Sequence, residues 1–172
     1  MTPIMEECHL IHASVLTYCP MVLTPVQVPA GYFPIEVVQF WRGQGASGHP
    51  FPLHWAIFVH TSCRNGNYYH VLGNVDTFTV VIERNKPKRN AERWRGDHTV
   101  GFVAPQHLGI LEATLWHVPV VRHDSTWNTQ KWVNEALRTL RSINIPVDPE
   151  VSLARLQTQM SCLLEAWENG EI

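Results

Sequence analysis

The chain has 172 residues, 45% of them hydrophobic, enough for one domain with a real core and too short for two catalytic domains of ordinary size. Its 13 Lys and Arg against 15 Asp and Glu give a formal charge of -2, which argues against nonspecific capture of nucleic acid or an anionic membrane. The polar and aromatic chemistry is concentrated instead in 10 His and 7 Trp.

The amino-terminal stretch holds early acids and no basic segment ahead of an apolar run, so no secretory signal is expected there. Residues 10–18, LIHASVLTY, read as a strand, and the prolines of 19–29 favour an irregular extended course. EVVQFW, within 31–42, reads as a second strand and 43–52, GQGASGHPFP, as a turn-rich loop. The clearest strand is LHWAIFVH at 53–60. In it His54, Ala56, Phe58 and His60 share one face, and Trp55, Ile57 and Val59 the other. An Asn65-Gly66 turn then leads into NYYHVLG at 67–73, making a hairpin, and DTFTVVIER at 76–84 follows as a third strand of the same sheet.

The run RNKPKRNAERWR at 84–95 carries Arg84, Lys86, Lys88, Arg89, Arg93 and Arg95, nearly half of the positive charge. It lacks the repeated aromatic interleaving of a nucleic-acid surface and reads as a solvated basic loop. Residues 98–104 read as a strand. PQHLGILEATLWHV opens a short helix weakened at Gly109, and 119–123 is a further strand or an extended approach. From 126 the period changes to 3.6: Thr129, Val133, Ala136, Leu137 and Leu140 fall on one helix face, with Ser125 or Thr126 as N-cap. A last helix takes Asp148 as N-cap, Pro149 at its first position and Gly170 as its stop. Its apolar face runs through Leu153, Leu156, Met160, Leu163, Leu164 and Trp167.

Two histidines stand out on the sheet. His54 begins the central strand and His70 lies in its hairpin partner, so their rings can meet at one end of the sheet if the register allows. A neutral imidazole with a polar orienter serves as a general base near neutral pH. Thr129 lies in the first turn of the following helix, where free backbone N–H groups favour developing negative charge. Its hydroxyl has a high pKa and a crowded carbon, so a core-facing or capping role competes with a chemical one. Trp127 and Trp132 can wall a ligand beside that position, and Asn128 and Gln130 can donate amide hydrogen bonds to it. Core packing and helix capping are the competing roles for these four. Cys63, past the His54 strand, is read as structural.

The order HWAIFVH, YYHVLG and a helix beginning WNTQKWV resembles the circularly permuted branch of the NlpC/P60 papain-like superfamily, which includes the lecithin:retinol acyltransferase-like proteins. It is similar above all to small fungal proteins whose helix begins WNCQxWV. The resemblance covers roughly 53–141. It implies an α+β fold, a small antiparallel sheet packed against helices, forming a single permuted papain-like domain over 1–172 with the segments 1–40 and 145–172 least defined. It also implies that a catalytic histidine, a second polar residue and a cysteine nucleophile would map to His54, His70 and position 129. Here that position is Thr129.

Three functions remain open on these residues. The protein is a papain-like scaffold without its thiol that binds a small molecule or peptide; or an active hydrolase, acyltransferase, cyclase or isomerase using His54 as acid or base; or an interaction or structural domain, with a protein partner or a homodimer. No cofactor is expected. No metal is expected either, because His9, His12, His117 and His123 lie in no compact ligand pattern. Nucleic acid is not expected, given the charge balance and the character of the basic run, nor is a membrane span, since no apolar stretch approaches the roughly 20 residues that a bilayer requires. Four widely spaced cysteines without a CxxC pair suggest reduced thiols and a cytoplasmic location.

Overall fold

Alternating apolar residues build a sheet first, and the later 3.6-residue period builds the helices that cover it. The computed structural model describes residues 23–88 and 92–172. Five strands, β1 (Phe33–Phe40), β2 (His54–His60), β3 (Asn65–Leu72), β4 (Thr79–Pro87) and β5 (Trp94–Val103), form one antiparallel sheet in the order β4-β3-β2-β1-β5. Three helices, α1 (Leu108–Trp116), α2 (Thr129–Ser142) and α3 (Leu153–Glu168), pack against it, giving the mixed α+β architecture expected from the sequence.

The two faces of β2 have different fates, as its alternation predicts. Trp55, Ile57 and Val59 turn toward the helices and join Leu111, Trp132, Val133, Leu137 and Met160 in the main core. Burying each such aliphatic side chain contributes about 1.5–3 kcal/mol. On the other face Ala56 and Phe58 meet Val38, Tyr68 and Trp94 in a smaller apolar cluster. His54 and His60 lie at its two ends because they are the first and last residues of the strand.

Several local expectations change. The hairpin turn is not Asn65-Gly66 but falls just before it. Asn65 O accepts from the N–H groups of Thr61 and Ser62, both at 3.0 Å, and Ser62 Oγ accepts from Asn65 N–H at 3.0 Å, so the chain reverses early. Gly66 then pairs with His60 in the ladder. It has to be glycine there, because a Cβ would stand 2.2 Å from Val59 O and 2.6 Å from the Phe58 ring. β4 begins at Thr79 rather than 76, since Asn74 closes a turn with Asp76 and Thr77, and it continues into the basic run as far as Pro87. β5 begins at Trp94 rather than 98.

Helix α1 runs unbroken through Gly109, which occupies its first turn, and 119–123 forms no strand. α2 is capped by Asn128 rather than Ser125 or Thr126: its side chain accepts from Gln130 N–H at 3.0 Å and Lys131 N–H at 3.1 Å. α3 is capped by Ser152, because Asp148 is used earlier to accept from Glu150 N–H at 2.8 Å in a turn that leaves Pro149 outside the helix. Gly170, with φ of 73°, ends α3 as expected.

The strand expected at 10–18 lies outside the described residues, as do His9, His12 and Arg89. Cys63 and Cys162 are both disulfide-bonded, which overturns the expectation of reduced thiols. Wide spacing in sequence hid this, because disulfide geometry depends on distance in the fold and not along the chain. Among the described residues no helix is long and apolar enough to cross a membrane.

Candidate functional site

The register of the central hairpin brings the two histidines together. Ile57 faces Tyr69, so the next step places Ala56 opposite His70 on the face away from the helices, with His54 one position diagonal to it. His54 Nε2 lies 2.9 Å from His70 Nδ1, and the rings meet edge to face with centroids 5.1 Å apart. Burial, the neighbouring His70 and the Arg42 charge push the His54 pKa down to about 3. Burial also lowers that of His70, against the opposing pull of Glu83. Both rings are therefore neutral at pH 7, one donating to the other. His70 is 8% exposed and its Nε2 has no hydrogen-bond partner among the described residues.

Thr129 occupies the first turn of α2 and is 3% exposed. The β2–β3 ladder ends at Ile57–Tyr69, so Trp55 lies beyond it, and the Trp55 N–H donates to Thr129 Oγ1 at 3.1 Å instead. The hydroxyl thus ties the helix start to the strand start. It makes no hydrogen bond with either histidine.

His54, His70 and Thr129 line one cavity of about 800 Å³. Its apolar wall comes from Phe40, Trp41, Val71 and Leu72. Its charges come from Arg42, Lys86, Arg93 and Glu83. Sequence reasoning missed all of these. Arg42 had a usable signal, because it follows β1 at the end where Phe40 pairs with His54. Tyr68 also lines the cavity and shares the pleat face of His70, two residues away.

Tyr68 helps fix the cavity wall. Its hydroxyl, kept protonated by burial and by the charges of Asp97, Glu36 and Glu83, donates to the carbonyl oxygens of Pro87, at 3.2 Å, and Lys88. Lys88 is drawn into the same region. Its Nζ is 2.8 Å from Glu36 Oε2 and 2.8 Å from Asp97 Oδ1, and His60 Nε2 is 2.9 Å from Glu36 Oε2. Burial would lower the Lys88 pKa, but the two carboxylates outweigh it and raise it. Burial would raise that of Glu36, but His60 and Lys88 bring it below the usual carboxylate value. The basic run is therefore not a uniformly solvated loop. Lys88 is a half-buried bridge, and the Arg95 guanidinium stacks over the Trp167 ring at 3.6 Å. The reason is that β4 and β5 reach into the run from both sides.

The other proposed ligand contacts lie elsewhere. Trp132 is fully buried in the main core, and Trp127 packs edge-on against Phe78 with ring centroids 5.1 Å apart. Asn128 is the cap of α2. Gln130 accepts from Gln157 Nε2 at 3.0 Å and lines a separate cavity of about 250 Å³ that Trp55 also lines. Cys63, as a disulfide, cannot replace a thiol nucleophile.

Fold and site together define an α+β protein with a neutral histidine pair in a cavity at the head of its sheet. Residues 43–145 match the model of a family of unknown function (DUF6540), more than half of the chain, and the protein belongs to that family. The matched span includes His54, His70 and Thr129. No curated protein and no solved structure matches the chain.

Proposed function

We propose that the protein is a circularly permuted papain-like scaffold that has lost thiol chemistry and binds a small molecule or peptide in the cleft where the thiol would act. One observation carries this reading: His54, His70 and Thr129 line the same cavity, yet the Thr129 hydroxyl is buried and engaged by the Trp55 N–H. A secondary alcohol in that state, with no base bonded to it, is a poor nucleophile. Incubation with thiol- and hydroxyl-directed covalent probes tests the loss of chemistry. No labelling at Thr129 is expected, and reproducible labelling there that disappears in His54→Ala overturns the reading.

A second reading rests on the 2.9 Å contact between His54 and His70. A neutral, oriented imidazole in a cavity is suited to act as general acid or base on a bound substrate, in hydrolysis, acyl transfer, cyclisation or isomerisation. On that reading His54→Ala abolishes turnover and leaves the fold intact. An unchanged turnover rate rejects it. As for location, disulfides at Cys63 and Cys162 persist in oxidising compartments, and we place the protein in one of these in preference to the cytoplasm suggested by the sequence.

A further inference from the structure

We infer that the ligand of the large cavity is an organic oxyanion, a carboxylate or phosphate ester, carrying an apolar body. The inference rests on the reading of that cavity as a small-molecule site and specifies its chemistry.

Charge is the first observation. Among the described residues Arg42, Lys86 and Arg93 line the cavity against one carboxylate, Glu83. Other cations near the sheet have internal partners: Arg84 pairs with Glu112, and Lys88 with Glu36 and Asp97. Among the described residues Arg42, Lys86 and Arg93 form no ion pair. Guanidinium groups bond carboxylate or phosphate oxygens two at a time, which gives them orientation as well as attraction.

The second observation is independent of charge. His70 Nε2 is buried, its residue lines the cavity, and it has no partner among the described residues, and a buried polar atom left unpaired is costly. When His54 Nε2–H donates to His70 Nδ1, the proton of the neutral His70 ring sits on Nε2. That N–H then faces the need for an acceptor, which an anionic oxygen supplies. A neutral ring also avoids competing with Glu83 or with a bound anion for a proton. The apolar wall of Phe40, Trp41, Val71 and Leu72 supplies the surface for the rest of the molecule. A volume of about 800 Å³ exceeds what a bare inorganic anion fills and matches ordinary small-molecule sites.

Four probes with a common apolar chain separate the possibilities: octanoate, octyl phosphate, octanol and octylamine, titrated by calorimetry into the full chain. Shifts of the His54 and His70 ring signals in NMR spectra report whether each probe enters the cavity. One or both anions should bind at least about tenfold tighter than octanol, as expected for one added charge-assisted hydrogen bond, and octylamine should bind most weakly. Affinity should fall on raising salt from about 20 to about 200 mM, because Arg42 and Arg93 are exposed. The double variant Arg42→Gln/Arg93→Gln should lose at least about tenfold in anion affinity without a change in thermal midpoint. Octanol binding in the cavity as tightly as octanoate overturns the oxyanion inference and leaves the binding reading standing. Binding by none of the four overturns both. Anion affinity unchanged in the double variant also overturns the inference, since the anion then sits elsewhere.

Discussion

Replacing Thr129 by valine keeps the branched shape of the side chain and removes one oxygen. In the native protein that oxygen accepts from the Trp55 N–H at 3.1 Å, and Trp55 is 1% exposed, so water cannot take over the bond. Leaving a buried donor unpaired costs about 1–3 kcal/mol. At about 2–4 °C per kcal/mol for a chain of this size, the thermal midpoint should fall by roughly 2–12 °C. Thr129→Ser keeps the oxygen and loses only a methyl group, so it should cost no more than about 1 kcal/mol. Urea unfolding followed by tryptophan fluorescence and far-UV circular dichroism measures both. The reasoning is refuted if Thr129→Val is as stable as the native protein, or if Thr129→Ser loses more than Thr129→Val. Thr129→Cys extends the same geometry: a thiol in the first turn of α2 should titrate below the ordinary value of about 8.5, seen as alkylation by iodoacetamide that persists at lower pH. A thiol titrating at or above that value argues against the placement.

Lys88→Met should destabilise the protein by about 1–3 kcal/mol, because Glu36 and Asp97 lose their shared cation, while the partial exposure of the bridge and the remaining His60 contact hold the loss below that of a fully buried pair. A urea midpoint indistinguishable from that of the native protein would mean that the bridge adds nothing. Stability should also fall with acid. His54, His70 and His98 all have pKa values depressed by burial, so the unfolded chain binds more protons below about 6.5, and stability is lost as pH drops from there toward about 3, the value for His54. Each proton taken up on unfolding contributes a slope of up to about 1.4 kcal/mol per pH unit. Urea midpoints at pH 7.5 and 5.5 check the sign, and His54→Asn should flatten the difference. Finally, alkylation of the unfolded, unreduced protein should leave Cys63 and Cys162 unmodified in peptide mass spectra. Alkylation at either contradicts the disulfides.

The elements were legible where periodicity alone decides them. His54, Ala56, Phe58 and His60 do share a face, and the buried stripe from Thr129 to Leu140 is the one that spacing predicts. Boundaries were less legible because several short polar residues competed for each end. Ser125, Thr126 and Asn128 are all competent caps for α2, and only the path of the chain selects Asn128. The meeting of His54 and His70 depended on register, which sequence leaves open, since a shift of one residue would put the two on opposite faces. The cavity's cations were illegible for a different reason. Arg42, Lys86 and Arg93 come from the end of β1, from β4 and from just before β5, and since β4 and β5 are opposite edges of the sheet, neither spacing nor strand pairing announces that these places line one cavity. Trp132, attractive in sequence as a ligand wall, faces the core because α2 lays that side on β2 and β3.

β4 and β5 are the two edges of the sheet, where strands paired on one side ordinarily fray, and the outer side of β5 is itself tied at a few points, by Phe102 N–H to Pro146 O at 3.0 Å and Asp148 N–H to Val100 O at 2.8 Å. Lys88, the residue after β4, is bound to Glu36 on β1 and to Asp97 on β5, so one ammonium spans from one edge to the other. β4 cannot peel away past Pro87 without separating that ammonium from both carboxylates. The backbone amides of the two edge strands should therefore exchange with solvent deuterium as a single cooperative unit, although no hydrogen bond joins the strands directly.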